Sequence, residues 1–224
     1  MTEADFAAVD QYIADLLVED DPVLKAALEA SEAAGLPRIN VAPNQGKLLM
    51  LLARAIDARK ILEIGTLGGY STIWLARALS RGGRLVTLEV NPTYAEVARA
   101  NIARAGLAEN VALRVGRAHD TLTALAAEGA GPFDLIFIDA DKPGTPGYFQ
   151  WAVRLARSGS LIVVDNVVRE GAIVEASSDD LNVQGMRRFF ELAATDPRVS
   201  GTAIQTVGSK GHDGLAILLV TADP

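Results

Sequence analysis

The sequence predicts an α/β fold in which helices cover both faces of a mostly parallel sheet. Three observations carry this prediction. Short apolar runs alternate with helical patterns from Lys60 onward, two of these runs end in acidic side chains, and the chain closes with two β-like runs around a glycine-rich turn. Alternation of strands and helices is typical of right-handed βαβ crossovers. Continuous apolar runs are typical of strands that are buried on both faces.

The elements follow in chain order. Asp21 before Pro22 predicts a capped helix start, Gly35 predicts its end, and a broad apolar face predicts a helix over 43–58. The predicted strands are 60–64, 84–90, 111–115, 133–138 and 159–165, and the helices between them are 70–80, 92–105, 118–128 and 146–157.

The last quarter of the chain has a different pattern. Residues 171–182 are polar and acidic and predict a loop or flap, and a helical pattern follows at 183–194. Two β-like runs, 199–207 and 214–221, are joined by a glycine-containing turn at 208–214. Such a turn favours a hairpin, so we expect the last strand to be antiparallel to its neighbour.

Composition limits the function. The 224 residues, 50% of them hydrophobic, suit one core, and a formal net charge of −7 argues against a nucleic-acid partner. No apolar run is long enough for a membrane span, and the acidic start lacks a signal core, so a cytoplasmic location is expected. Without cysteine and with only two histidines, any metal site is expected to use oxygen ligands.

Polar side chains follow two of the predicted strands. One apolar run ends in Asp139-Ala-Asp-Lys142, and the next ends in Asp165-Asn166. In open α/β sheets, ligands bind outside the carboxyl ends of the strands, so these residues are expected around one crevice. Oxygen ligands grouped beside a lysine indicate a divalent cation and a base, and therefore an enzyme.

A glycine-rich turn follows the first predicted strand. Gly65, Gly68 and Gly69 allow a ligand to approach the backbone closely, and Glu89 ends the next strand, where a carboxylate can bind ribose hydroxyls. The spacing is not the Gly-x-Gly-x-x-Gly of dinucleotide sites, which favours a nucleoside methyl donor without a pyrophosphate over NAD. Glu63 either contacts the amino group of the donor or is an acid at a strand end.

These residues together resemble the cation-dependent O-methyltransferases of the caffeoyl-CoA and catechol O-methyltransferase type, in particular their small bacterial members. The likeness covers nearly the whole chain, and its most specific part is Asp139-Ala-Asp-Lys142 followed by Asp165-Asn166. The resemblance implies a Rossmann-like methyltransferase fold with a seven-stranded, mostly parallel sheet and an antiparallel last strand. It also implies a single domain over 1–224, in which helices of 1–58 contribute to a cap or dimer interface and 60–224 form the core.

The resemblance also implies cofactors and site residues. The cofactors are S-adenosyl-L-methionine and a divalent cation, with Mg²⁺ first and Mn²⁺ or Ca²⁺ as alternatives. The implied metal ligands are Asp139, Asp165 and Asn166, and the implied catalytic residues are Lys142 and Asp139. The implied donor-binding residues are Val41, Glu63, Gly65, Ser71, Glu89, Ala118, Asp139, Asp141 and Tyr148. Val41 stands where some plant members carry a threonine near the metal, so a side-chain ligand is lost there.

The expected function is methylation of one hydroxyl of a small catechol-like molecule by a cytoplasmic homodimer, with neither a nucleic-acid nor a membrane partner. Two alternatives stay open. One is a nicotinamide-dependent oxidoreductase, based on the glycine turn and Glu89. The other is a non-catalytic module of the same fold that binds a nucleoside or a metal.

Overall fold

The computed structural model describes residues 3–223 and begins with three helices. Asp21 caps the second helix, because its carboxylate accepts hydrogen bonds from Val23 N and Leu24 N, and Pro22 occupies the first helical turn. No helix in these residues has the length and apolar character needed to cross a membrane. The N-terminal helices are α1 (Glu3–Leu17), α2 (Pro22–Ala33) and α3 (Pro43–Ala55).

A seven-stranded sheet forms the centre of the molecule, with strand order β3-β2-β1-β4-β5-β7-β6. The first five strands pair in parallel, and β7 lies antiparallel between β5 and β6. The predicted fold class is therefore confirmed. The strands are β1 (Lys60–Ile64), β2 (Arg84–Glu89), β3 (Val111–Val115), β4 (Leu135–Ile138), β5 (Leu161–Asp165), β6 (Val199–Gly208) and β7 (Gly211–Val220).

Helices cover both faces of this sheet, as expected. Alternate residues of β4 point to opposite faces, so Phe137 packs in one apolar cluster and Ile136 in the other. The cluster with Phe137 includes side chains of α2, α3 and α4, and the cluster with Ile136 includes side chains of α6, α7 and α8. The remaining helices are α4 (Tyr70–Ala76), α5 (Pro92–Arg104), α6 (Ala118–Ala127), α7 (Thr145–Leu155) and α8 (Leu181–Thr195).

The structure differs from the sequence prediction at element ends. Part of the predicted loop at 171–182 belongs to a 3₁₀ segment, Arg169–Val174, which precedes α8. The closing hairpin is also tighter than predicted, because β6 and β7 pair as far as Gly208 and Gly211. Gly211 has φ 83°, a left-handed conformation that glycine adopts without steric cost, and this permits a connection of only Ser209 and Lys210.

Candidate active site

A cavity of about 740 Å³ opens where the parallel strands end. It lies at the sheet edge that the strand-end acids predicted, in agreement with the position of ligand sites in open α/β sheets. Of the predicted site residues, Glu63 and Asp165 do not line it. Those that do are Val41, Gly65, Ser71, Glu89, Ala118, Asp139, Asp141, Lys142, Tyr148 and Asn166.

The glycine turn brings the ends of β1 and β4 together. Gly65 has φ 101°, and a Cβ atom at this position would lie 2.1 Å from the carbonyl oxygen of Asp139. Only glycine therefore allows the turn after β1 to pass this close to the strand end that carries Asp139. The close approach puts the predicted donor-binding turn next to the predicted metal and base residues.

Glu89 holds the same turn from the end of β2. Its Oε2 accepts hydrogen bonds from Leu67 N at 2.8 Å and Thr66 N at 3.3 Å, while its Oε1 accepts one from Asn91 N at 2.8 Å. The residue is only 7% exposed, yet it lines the cavity. Each carboxylate oxygen has further lone pairs, so Glu89 can also accept hydrogen bonds from a ligand.

Glu63 lies beneath the turn instead of at the cavity wall. It is fully buried, and its carboxylate accepts hydrogen bonds from Ser71 Oγ at 2.6 Å, Thr72 Oγ1 at 2.5 Å and Thr87 Oγ1 at 2.6 Å. Burial raises the pKa of Glu63 to about 7, although the three hydroxyl donors act in the opposite direction. In this geometry Glu63 links β1, α4 and β2, and its predicted contact with the donor stays a prediction.

Lys142 and Asp139 form a largely buried ion pair. Lys142 begins a 3₁₀ turn, Lys142–Gly144, that is separated from β4 by three residues, and its Nζ donates to Asp139 Oδ1 at 2.9 Å. The side chains are 10% and 22% exposed, respectively, so solvent screens this pair much less than a surface pair. The local geometry therefore fixes the lysine amine beside the carboxylate at the cavity.

Asp141 stabilises the next turn of the chain. Its Oδ2 accepts from Gly144 N at 2.9 Å, and its Oδ1 accepts from the Tyr148 hydroxyl at 2.5 Å. Burial and the neighbouring Asp141 carboxylate raise the pKa of Tyr148. Tyr148 is therefore a neutral hydrogen-bond donor at neutral pH, and the two side chains form one wall of the cavity.

Asp165 is the last residue of β5, and Asn166 follows it. Asp165 lies close to the Lys142–Asp139 ion pair. Asp165 is 6% exposed, and burial raises its pKa to about 7, helped by the charge of Asp139 and opposed by that of Lys142. Asn166 has φ 56°, in the left-handed region that asparagine tolerates better than most residues. Backbone strain of this kind is concentrated at functional sites in proteins.

The residues present fit a divalent cation. Two carboxylates lie close enough for one to raise the pKa of the other, and a bound dication would relieve this repulsion. Two carboxylates and an amide oxygen are also a donor set that Mg²⁺, Mn²⁺ and Ca²⁺ accept. Nowhere in residues 3–223 do three acidic or histidine side chains converge as metal ligands, and the candidate set contains only two carboxylates beside the amide of Asn166.

Three residues that the sequence analysis did not single out also contact the site. Gln45 on α3 lies beside Asp165 and lowers its pKa, although its buried Nε2 does not reach good hydrogen-bond geometry with a described partner. Arg38 and Lys210 line the cavity from two segments distant in sequence. An amphipathic helix pattern does not mark an inward polar residue such as Gln45, and the tip of a hairpin carries no motif, so no local signal identified them.

Known proteins are similar to this chain over nearly its whole length. Residues 14–218 match the O-methyltransferase family. The chain is 58% identical over 212 residues to a catechol O-methyltransferase of Mycobacterium tuberculosis (95% of this chain, 94% of the relative). It is 54% identical over 215 residues to a catechol O-methyltransferase of Niastella koreensis (96% and 97%).

A solved O-methyltransferase structure has the same fold as this chain. The O-methyltransferase from Bacillus cereus, in complex with SAH, superimposes with a TM-score of 0.97 at 54% identity, covering 98% of this chain and 100% of that one. The resemblance predicted from the strand-end motifs is confirmed, and the chain belongs to the O-methyltransferase family.

Proposed function

We propose that this enzyme transfers the methyl group of S-adenosyl-L-methionine to one hydroxyl of a catechol-like molecule, with the help of a divalent cation. The observation that carries the proposal is the juxtaposition of Asp139, Lys142, Asp165 and Asn166 beside the glycine turn. The catechol O-methyltransferase names of the relatives and the SAH in the Bacillus cereus structure support the acceptor and the donor, respectively.

Donor binding is assigned to the turn and the residues around it. Glu89 accepts hydrogen bonds from the ribose hydroxyls, and Gly65 and Ser71 face the rest of the donor across the cavity. Ala118, Asp141 and Tyr148 line the same cavity, so we assign them to the donor as well, while Val41 closes it from the segment before α3. Glu63 supports this assembly from below through Ser71 Oγ.

The chemistry needs a fixed acceptor and a place for its proton. Asp139, Asp165 and Asn166 would hold the cation, which when bound stabilises a deprotonated hydroxyl oxygen and orients both oxygens of a catechol. We assign proton acceptance to Lys142. Its Nζ is positioned by Asp139 and must first lose the ammonium proton of that ion pair, which the like charge of a neighbouring dication would favour. Positioning of two reactants by such groups can lower a barrier by roughly 7–11 kcal/mol.

The nicotinamide alternative fits the geometry less well. A pyrophosphate binds to free backbone amides at a glycine turn and helix start. Here the amides of Thr66 and Leu67 donate to Glu89 instead. Tight binding of NAD without binding of S-adenosyl-L-methionine would overturn the proposal.

The test combines donor binding with metal-dependent turnover. Calorimetry should detect donor binding, and methylation of catechols should fall at least tenfold in chelator or in Asp165→Ala, because the cation site loses a ligand. Lys142→Ala should lose turnover while it keeps donor affinity. Activity that is insensitive to both chelator and Asp165→Ala would contradict the metal mechanism. Equal loss of donor affinity and turnover in Lys142→Ala would assign a structural role to that lysine and leave the non-catalytic alternative open.

The assembly and location belong to the same proposal. We place residues 1–224 in one domain, with helices of 1–58 as the cap and the dimer contact, and the enzyme in the cytoplasm as a homodimer. The exposed apolar side chains of α1 support the dimer contact, because Tyr12, Leu16 and Leu17 are each at least 65% exposed.

A further inference from the structure

Lys210 occupies the tip of the β6–β7 hairpin and lines the same cavity as the candidate metal site. Because β7 is antiparallel to β5, Asp165 at the carboxyl end of β5 pairs with Leu215 near the start of β7. Lys210 at the hairpin tip comes four residues before Gly214, which directly precedes Leu215. The tip therefore extends beyond the sheet edge at which the cavity opens. Lys210 lines this cavity together with Lys142 and Asn166.

The charges around Lys210 are unbalanced. Its Nζ donates to the carbonyl oxygen of Arg38 at 3.1 Å, and no described carboxylate pairs with it. The guanidinium of Arg38 forms an ion pair with the carboxylate of Glu32. The side chain of Lys210 is exposed as a whole, and partial desolvation at the cavity mouth, followed by the positive charge of Arg38, lowers its pKa. The ammonium group of Lys210 has this backbone carbonyl as its hydrogen-bond partner and keeps donors that an anionic ligand in the cavity can use.

Nearby acids do not supply that anion. Asp10 on α1 contacts the hairpin, but its Oδ2 accepts from Ser209 N at 2.8 Å and its Oδ1 accepts from Asn44 Nδ2 at 2.9 Å. Arg169, another cation of the cavity, has the carboxylate of Asp213 3.9 Å from its guanidinium. Among Arg38, Arg169 and Lys210, Lys210 is therefore the cation for which no described carboxylate lies within ion-pair distance.

The same mouth has an apolar wall. Leu36, Pro37 and Ile39 line the cavity on either side of Arg38, and Ile39 is 70% exposed. An apolar surface beside an unpaired ammonium group matches a ligand with a flat apolar body and an anionic substituent. S-adenosyl-L-methionine has a carboxylate of its own. The test must therefore distinguish pairing of Lys210 with the donor carboxylate from pairing with an acceptor carboxylate.

We infer that the acceptor is an aromatic acid, a vicinal dihydroxy-aromatic whose carboxylate pairs with Lys210 while its hydroxyls face Lys142 and the metal ligands. This inference rests on the proposed function and adds the substrate class. Lys210 then sets specificity, because a neutral catechol leaves the ammonium group unpaired and an acid does not.

The test compares acids with their neutral isosteres. Methylation of 3,4-dihydroxybenzoate and 3,4-dihydroxycinnamate is measured beside that of their primary amides, and the acid-to-amide ratio of kcat/KM is compared between wild type and Lys210→Met. Intrinsic reactivity differences cancel in this double ratio. We expect the preference for acids to fall about threefold to tenfold, the range of a partly screened ion pair, and to weaken with salt in the wild type. Lys210→Arg should keep the preference.

Lys25→Met is the matched control, because Lys25 of α2 forms a surface ion pair with Asp20 and does not line the cavity. It should leave the ratio unchanged. An unchanged ratio in Lys210→Met, with methylation of acids and amides intact, would overturn the inference and leave the proposed function standing. Loss of SAH affinity in Lys210→Met with a constant ratio would assign the lysine to the donor carboxylate and also overturn it. No methylation of any catechol by the wild type would refute the proposed function itself.

Discussion

At the scale of single residues, the site combines groups that face the cavity with a buried acid that supports them. Asp139 and Lys142 face the cavity, whereas Glu63 is enclosed by hydroxyls from two neighbouring elements. A carboxyl buried in this way is destabilised when it is ionised, despite its hydrogen bonds. The buried acid therefore makes stability depend on pH in a direction opposite to that of an ordinary salt-bridged carboxylate.

Replacement of Glu63 should reveal this dependence. The pKa of Glu63 is raised from 4.5 to about 7 in the folded state, so between these values the unfolded chain is ionised and the folded one is protonated. Folding stability then falls as the pH rises through this window and stays low above it. Glu63→Gln carries no such charge, so its stability relative to wild type should rise by on the order of 3 kcal/mol from pH 4 to pH 8.

Chemical denaturation of metal-free wild type and Glu63→Gln across this pH range measures the difference directly. Contributions from other titrating groups are common to both proteins and largely cancel. A stability difference that stays constant with pH would contradict the raised pKa. A difference that moves in the opposite direction would indicate that the hydroxyl donors outweigh the burial of the carboxylate.

At the scale of elements, the position of Lys142 depends on how closely α8 approaches the 3₁₀ turn after β4. Gly185 provides this approach, because a Cβ atom there would lie 2.3 Å from the carbonyl oxygen of Lys142. The contact is with backbone atoms, which cannot move aside as a flexible side chain can. The helix therefore acts as a support that fixes the turn carrying the proposed base.

Gly185→Ala should therefore displace α8 or the turn. We expect a loss of stability of about 1–3 kcal/mol, as for overpacking in a core, and a decrease in kcat of at least tenfold with little change in donor affinity. Gly147→Ala in α7 is the matched control, since nothing lies within 4 Å of a Cβ atom at that position. It should stabilise the protein by up to about 1 kcal/mol. Thermal unfolding and steady-state kinetics of both variants test this, and equal behaviour of the two would argue against the packing explanation.

The same scale shows what the sequence could predict. Asp139, Lys142, Asp165 and Asn166 each follow a strand, and parallel strands end at one edge, so their grouping followed from chain connectivity alone. The contacts of Gln45, Gly185 and Lys210 join elements distant in sequence. Lys210 reaches the cavity from the tip of the β6–β7 hairpin, and a turn pattern cannot specify where that hairpin joins the sheet.

At the scale of the whole molecule, the N-terminal helices connect the cavity mouth to an exposed apolar surface. Asp10 of α1 holds the hairpin through Ser209 N, while Tyr12, Leu16 and Leu17 of the same helix are exposed to solvent. The helix packs against β6, the edge strand of the sheet, which itself exposes Ile204 and Val207. Long exposed edge strands are sites at which another chain can pair or pack.

The proposed homodimer uses this surface, and a charge placed in it should separate the subunits. Leu16 is 65% exposed on α1, so Leu16→Glu changes little within one subunit but puts a charge in the dimer contact. Sedimentation should show wild type at twice the 23.6 kDa chain mass. The Leu16→Glu dimer should already dissociate at protein concentrations at least tenfold higher than those at which the wild-type dimer dissociates. Val115→Glu is the matched control, because Val115 is 43% exposed on β3 at the opposite edge of the sheet. A monomeric wild type would refute the homodimer, and a monomeric Val115→Glu beside a dimeric Leu16→Glu would move the interface to the other edge.

Because Asp10 ties α1 to the hairpin that carries Lys210, a dimer through α1 would also restrain the cavity mouth. Leu16→Glu should therefore raise KM for acidic acceptors more than it lowers kcat.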